Sequence, residues 1–250
     1  MKRALLALVC ALACALALAQ GGEEVPFITS PDNVTQEMLR IARVAPGDHV
    51  VDLGSGDGRI VILAAKRFGA TGLGVEIDPA LVQRSLRNAR EAGVADRVDF
   101  RVQDLFQTDL ARATVITMYL LPEFNLRLRP ALLALKPGTR IVSHDWDMGD
   151  WKPDATTVVA VPEKKVGLEK SSRIHLWVVP ARVEGTWCGA TGPLSLRQSY
   201  QELTGSAGSR EVKGRVEGTT VVLDGKRYSL AGDALRSAGD GYVRARTGAC

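Results

Sequence analysis

Apolar and polar positions along the chain fall into two textures. From Ser30 to about Pro180, short β-branched runs alternate with segments whose apolar residues recur every three or four positions. Val50–Leu53, Gly72–Ile77, Val98–Val102, Ala113–Met118 and Arg140–His144 read as strands, the most apolar of them as buried parallel ones. Between them, Arg59–Phe68 reads as a helix stopped by Gly69. Asp78-Pro79 is an N-cap and first-residue pair that opens a helix through Leu81, Val82, Leu86 and Ala89, ending at Gly93. Pro122–Leu135 is a helix interrupted by Pro130. Ser30-Pro31 opens an earlier helix, with Ser30 as its cap and Val34, Met38, Ile41 and Ala45 on one face, ended by Pro46-Gly47. Strand and helix in strict alternation predict an α/β fold around a parallel sheet.

After Ala181 the helical spacing stops. Gly185–Trp187, Leu194–Leu203 and Thr219–Leu223 are short strand-like runs among glycine-rich turns. Asp224-Gly225 between Val221–Leu223 and Tyr228–Leu230 signals a hairpin with a loop slightly longer than two residues. Residues 181–250 therefore read as a small all-β appendage, a meander or barrel, and no motif in it carries chemistry.

The first residues change the accounting. Met1-Lys2-Arg3 is a basic head, Ala4–Leu18 is almost wholly Ala, Leu, Val and Cys, and Ala17-Leu18-Ala19 fits a small-residue cleavage site. This is a signal-peptide pattern, residues 1–19, with cleavage expected after Ala19 and export, to a periplasm, as its consequence. The apolar run is short for a membrane span, so no stable span is expected after cleavage. The chain has 32 Lys and Arg against 28 Asp and Glu; without Lys2 and Arg3 the count is 30 against 28. That near-balance, with no basic stripe carrying interleaved aromatics, excludes a nucleic-acid-binding surface. Cleavage also removes Cys10 and Cys14. Cys188 and Cys250 remain, an even pair that predicts a disulfide in an oxidising compartment.

The chemistry concentrates at the first strand–helix turn, Val50-Val51-Asp52-Leu53-Gly54-Ser55-Gly56-Asp57-Gly58. Glycine at alternate positions allows positive φ and close approach of a ligand to the backbone. The spacing differs from the dinucleotide Gly-x-Gly-x-x-Gly pattern. The next strand ends in Glu76, which an open α/β sheet places beside the loop, in the crevice where ligands bind. A carboxylate there can accept both hydroxyls of a ribose. His144, Asp145 and Asp147 are sequential rather than spaced as ligands, no Cys-x-x-Cys or His-x-x-x-His occurs, and no metal is expected. Gly-x-Ser-x-Gly is absent too, so a hydrolase triad has no support.

Val-Val-Asp-Leu-Gly-Ser-Gly-Asp-Gly followed by Val-Glu-Ile-Asp resembles the first two motifs of class I S-adenosylmethionine (SAM) dependent methyltransferases. The resemblance spans about Phe27 to Pro180. It implies a Rossmann-like seven-stranded sheet over residues 20–180, with Val158–Val161 and Ile174–Val179 as the closing antiparallel pair. It also implies SAM as cofactor, with Asp52, Gly54, Ser55, Gly56, Gly58 and Glu76 around it. Asp104, after the third strand, would accept from the adenine amine or else cap the next turn; Phe106 would pack on the ring. Phe27-Ile28-Thr29-Ser30-Pro31 and Tyr119-Leu120-Leu121-Pro122 resemble segments of the mitochondrial lysine methyltransferases that modify the ATP synthase rotor ring. On that resemblance Thr29, Tyr119 and Pro122 belong to the acceptor pocket, and the acceptor is a lysine amine of a protein or else a small molecule. The alternative role for Tyr119 is a packed strand-end aromatic. For Asp145–Pro153, pocket wall and loop packing stay equally open. No residue is assigned as a catalytic base. Because SAM is a cytoplasmic metabolite, the expected export leaves two further alternatives: cytoplasmic retention, or an exported non-catalytic binding protein on a methyltransferase scaffold.

Overall fold

The computed structural model describes residues 28–164, 169–246 and 250. The leader and Phe27 lie outside them. Seven strands form the first sheet: β1 (His49–Leu53), β2 (Thr71–Glu76), β3 (Val98–Val102), β4 (Val115–Met118), β5 (Arg140–His144), β6 (Ala155–Ala160) and β7 (Ser171–Val178). Their order is β3-β2-β1-β4-β5-β7-β6. The first five run parallel, and β7 pairs antiparallel with both β5 and β6. Every residue of β4 is buried, as a central parallel strand covered on both faces requires.

The helices are α1 (Asp32–Ile41), α2 (Arg59–Phe68), α3 (Pro79–Glu91) and α4 (Pro122–Leu133), with one 3-10 turn at Leu105–Gln107. Strand alternation sorts the core into layers. Val50, Val115 and Val142 face α1 and α2, meeting Val34, Met38, Leu39, Ile60 and Ala64. Val51, Leu53, Ile116, Met118 and Ile141 face the other way, toward Leu128 and Leu132 of α4 and toward Trp151 and Trp177. Among the described residues no helix is long and apolar enough to cross a membrane.

The tail is an eight-stranded closed antiparallel barrel: β8 (Gly185–Gly189), β9 (Gly192–Ser199), β10 (Glu202–Ala207), β11 (Arg210–Glu217), β12 (Thr220–Leu223), β13 (Lys226–Ala231), β14 (Ala234–Ser237) and β15 (Asp240–Arg244). Each strand pairs with the next, and β15 returns to β8. Trp187, Leu196, Leu203, Val216, Val221, Leu235 and Tyr242 fill the interior. Two expectations are corrected here. Leu194–Leu203 is two strands, because Tyr200 turns the chain at φ 53°. The Asp224-Gly225 loop has two residues, since Leu223 pairs directly with Lys226, and both turn residues have positive φ (46° and 81°), the geometry that matches strand twist. Cys188 and Cys250 are disulfide-bonded, with Cα atoms 5.5 Å apart.

Candidate functional site

Strand order reverses between β1 and β4, and the crevice opens at their C-terminal ends, as expected for an α/β sheet. The β1–α2 turn forms its floor. Gly54, Gly56 and Gly58 have φ of 76°, 54° and 79°, which is why glycine occupies alternate positions. Gly54 and Ser55 N–H groups donate to Val75 O (3.0 and 2.9 Å). α3 secures the loop from behind: Ser85 Oγ donates to Gly56 O and Asn88 Nδ2 to Asp57 O, each at 2.9 Å. A Cβ on Gly58 would lie 2.7 Å from the Phe100 ring, so this glycine serves packing behind the loop rather than the cleft wall.

Glu76, at the end of β2, ties the two turns together. One oxygen accepts from Gly56 N (2.9 Å); the other accepts from Ile77 N (2.8 Å) and Asp78 N (3.2 Å). The cleft above holds about 630 Å³, a size typical of small-molecule sites. Asp52, Gly54, Ser55, Gly56, Glu76, Thr29 and Tyr119 all line it, as do Asp57, Arg59, Ile77, Asp78, Leu105 and Phe124. Four carboxylates on that wall face one guanidinium. Arg59 is itself committed, with Nε and Nη2 donating to Asp57 at 2.9 and 2.7 Å and Nη1 to Ser30 O at 3.0 Å. That pairing holds the Asp57 carboxyl below its ordinary value against the opposing effect of burial.

Asp52 behaves oppositely. It is 2% exposed, accepts from Thr117 Oγ1 at 2.7 Å, and burial, with Glu76 and Asp57 nearby, pushes its carboxyl up to about 7. Ser55 Oγ is buried without a hydrogen-bond partner. Gly74 leaves it room, since a Cβ there would come within 2.6 Å of that oxygen. An acidic wall, a strand-end carboxylate and an unpaired hydroxyl suit a ligand that carries positive charge together with hydroxyl groups.

Asp104 and Phe106 do not reach the cleft wall. Asp104 caps the 3-10 turn, accepting from Phe106 N at 2.9 Å. The Phe106 ring packs edge-on against Phe124 at 5.6 Å and lies under the Arg127 guanidinium. The turn instead presents Leu105, and Phe106 braces Phe124, which does line the cleft. Pro122 is the first residue of α4 and sits just behind Leu120 on that side.

Ile28-Thr29-Ser30 closes the cleft as a strap. Ser30 was expected to cap α1, but its hydroxyl lies 2.8 Å from His144 Nδ1, and α1 has no side-chain cap. His144 ends β5, and its Nε2 is 2.8 Å from Ser172 Oγ. Its ring stacks on Tyr119 at 3.9 Å. Burial lowers the imidazole to about 4, so it is neutral near pH 7. Sequence reasoning passed over His144, Arg59 and Asp57. A buried strand-end histidine leaves no mark of its partner in the sequence, whereas the Asp-x-Arg spacing at 57 and 59 was a readable local ion pair.

The family model for the ANTKMT methyltransferase domain matches residues 52–155. The chain is 44% identical over 131 residues to a protein-lysine N-methyltransferase of Saccharolobus islandicus (strain REY15A), covering 52% of this chain and 81% of that protein. The chain belongs to the SAM-dependent methyltransferase family. This methyltransferase is also 34% identical over 134 residues to an ATP synthase lysine N-methyltransferase of Mus musculus, covering 53% of each; it thus spans about half the length of that relative. Among solved structures it resembles an RNA methyltransferase from Salinibacter ruber in complex with S-adenosyl-L-homocysteine (SAH), with TM-score 0.56 and 50% identity over 62% of this chain and 96% of the other. SAM fits the cleft: it is cationic at sulfur and at its amino group, and it carries two ribose hydroxyls. The barrel lies outside the matched methyltransferase domain.

Proposed function

We propose that this SAM-dependent methyltransferase N-methylates a lysine side chain of a protein. The observation that supports this acceptor is the 44% identity to a protein-lysine N-methyltransferase across 81% of that protein. In this reading Glu76 accepts the ribose hydroxyls, Ser55 supplies its unpaired hydroxyl, and Gly54 and Gly56 allow close approach to the backbone. Asp52 and Asp57 supply negative potential. When bound, SAM supplies a methyl group on a positively charged sulfur leaving group. The strap residues Ile28 and Thr29, with Tyr119, Leu120 and Phe124, form the remaining wall and admit the acceptor. Their apolar surface excludes water. Desolvation favours the neutral form of an entering amine, the form able to attack. No wall residue is assigned as the base, so the chain contributes mainly alignment and electrostatics.

A second reading, an RNA acceptor, draws on the name of the Salinibacter relative; the acidic cleft wall opposes it. We place the protein outside the cytoplasm on the strength of the Cys188–Cys250 bond and the apolar leader. The test is incubation with isotope-labelled SAM and, in separate arms, envelope proteins, RNA and a small-molecule extract, followed by mass spectrometry. Methyl-lysine in a protein is the expected product. Label confined to RNA or small molecules refutes the lysine reading. SAH binding without transfer in any arm points to the exported non-catalytic alternative. Fractionation of the producing cells tests location.

A further inference from the structure

We propose that the barrel is a buttress for the acceptor side of the cleft, and that Tyr200 and Gln201, in its β9–β10 turn, are the positioning residues. The proposal rests on the reading above, that the acceptor enters between the strap and the Tyr119–Phe124 wall. The turn grips the β5–β6 loop. Gln201, 4% exposed, accepts from Trp151 Nε1 at 3.1 Å and donates through Nε2 to Lys152 O at 2.7 Å. The Tyr200 ring stacks on Trp151, centroids 6.1 Å apart and planes 14° from parallel, and its hydroxyl donates to Asp150 at 2.9 Å. Trp151 is fully buried, and its carbonyl accepts from Trp177 Nε1 at 2.8 Å.

The other end of that loop is bonded to α4. Asn125, fully buried, donates to the carbonyls of Trp146 and Asp147 at 3.2 Å each and to Ser143 Oγ at 3.1 Å. Arg129 donates to Met148 O at 2.8 Å and pairs with Asp150. Residues 122–129 therefore carry Phe124 to the cleft while being bonded to a loop that the barrel holds. β5, which leads into this loop, ends in His144 beneath Tyr119. No such bonds run from the barrel to the Gly54–Gly58 loop or to Glu76 among the described residues. The coupling is thus directed at one wall of the cleft and spares the other. This gives the appendage a role, although no motif in it carries chemistry.

The test uses the full disulfide-bonded chain. Tyr200 lies at φ 53°, where glycine is unstrained, so Tyr200→Gly removes the ring without a backbone penalty. Tyr200→Phe keeps the stack and loses only the hydroxyl bond, and Gln201→Ala is an independent second variant. Hydrogen exchange by mass spectrometry should show faster exchange, by about tenfold, in residues 122–129 and 145–153 of Tyr200→Gly and Gln201→Ala. Exchange in 50–58 and 72–78 should stay at the wild-type rate. SAH affinity, titrated calorimetrically, should change less than about twofold. Methyl transfer to envelope protein should show the half-saturating protein concentration raised about tenfold, with kcat changed less, and Tyr200→Phe should restore it. Unchanged exchange in 122–129 overturns the proposal, and so does acceleration spread evenly over the sheet or an equal loss of SAH affinity. Exchange and SAH binding need no acceptor. A wild-type protein that transfers no methyl to protein would refute the lysine reading and leave those two arms to decide this one.

Discussion

Replacing Asp52 by Asn tests the electrostatics of the cleft directly. In the unfolded chain this carboxyl titrates at about 3.9; in the folded protein burial pushes it up to about 7. The folded state therefore keeps a proton that the unfolded state has lost. Its contribution to stability is complete below about pH 4 and is lost as pH rises through about 7. The span corresponds to ~4 kcal/mol. The amide of Asp52→Asn mimics the protonated side chain and can still accept from Thr117. Asp57, Asp145 and Asp48, whose carboxyls are held low, titrate at more acid pH in both proteins and cancel in the difference. Urea unfolding from pH 4.5 to 8.5 should show Asp52→Asn gaining on the wild type by up to ~4 kcal/mol, with most of the gain complete by about pH 7. SAM binding near pH 7 should release a proton from the wild type, visible as a buffer-dependent heat, because the incoming positive charge favours ionised Asp52. SAH, which lacks the sulfonium, should release less, and Asp52→Asn should release none by this route. Parallel stability curves for the two proteins across the whole range would refute the reasoning.

Three other perturbations follow from the same geometry. Glu76→Ala removes the acceptor of three backbone N–H groups and should weaken SAH binding by ~1–3 kcal/mol, while Gly56→Val, placing a β-branched residue at φ 54°, should abolish it; wild-type affinity in both, by calorimetry, would sink the site. Ser30→Ala deletes the buried contact to His144 and should cost ~1–3 kcal/mol of stability and loosen the strap, read by denaturation and by exchange at residues 28–31; no change in either would leave the strap without its anchor. Cys188→Ser should lower barrel stability by up to ~4 kcal/mol, the chain-entropy value for a loop of 62 residues, seen as a lower melting temperature matched by reduction of the wild type; two titratable thiols in the unreduced protein would rule the bond out.

Local chemistry determined the methyltransferase half. Glycine at 54, 56 and 58 was required by three positive φ angles within one turn. Asp78-Pro79 was a cap that the structure reproduces, with Asp78 accepting from Ala80 N at 2.7 Å. Glu76 fell beside the loop because β2 pairs with β1 in register. Each of these is set by neighbours in the chain or by one strand pairing, so sequence spacing carries it. The tertiary structure decided what long-range partners decide. Ser30 had two uses, a helix cap beside it or His144 across 114 positions, and only packing brought the histidine near. Asp104 had an adenine role or a capping role, and the turn took its carboxylate. Leu194–Leu203 read as one apolar run, yet Tyr200 breaks it, because the ring is worth more stacked on Trp151 than continuing a strand. Closure of the barrel, β15 onto β8, depends on pairing the two ends of a long segment. Alternation along a strand states which residues point inward, but does not say which strand lies beside it.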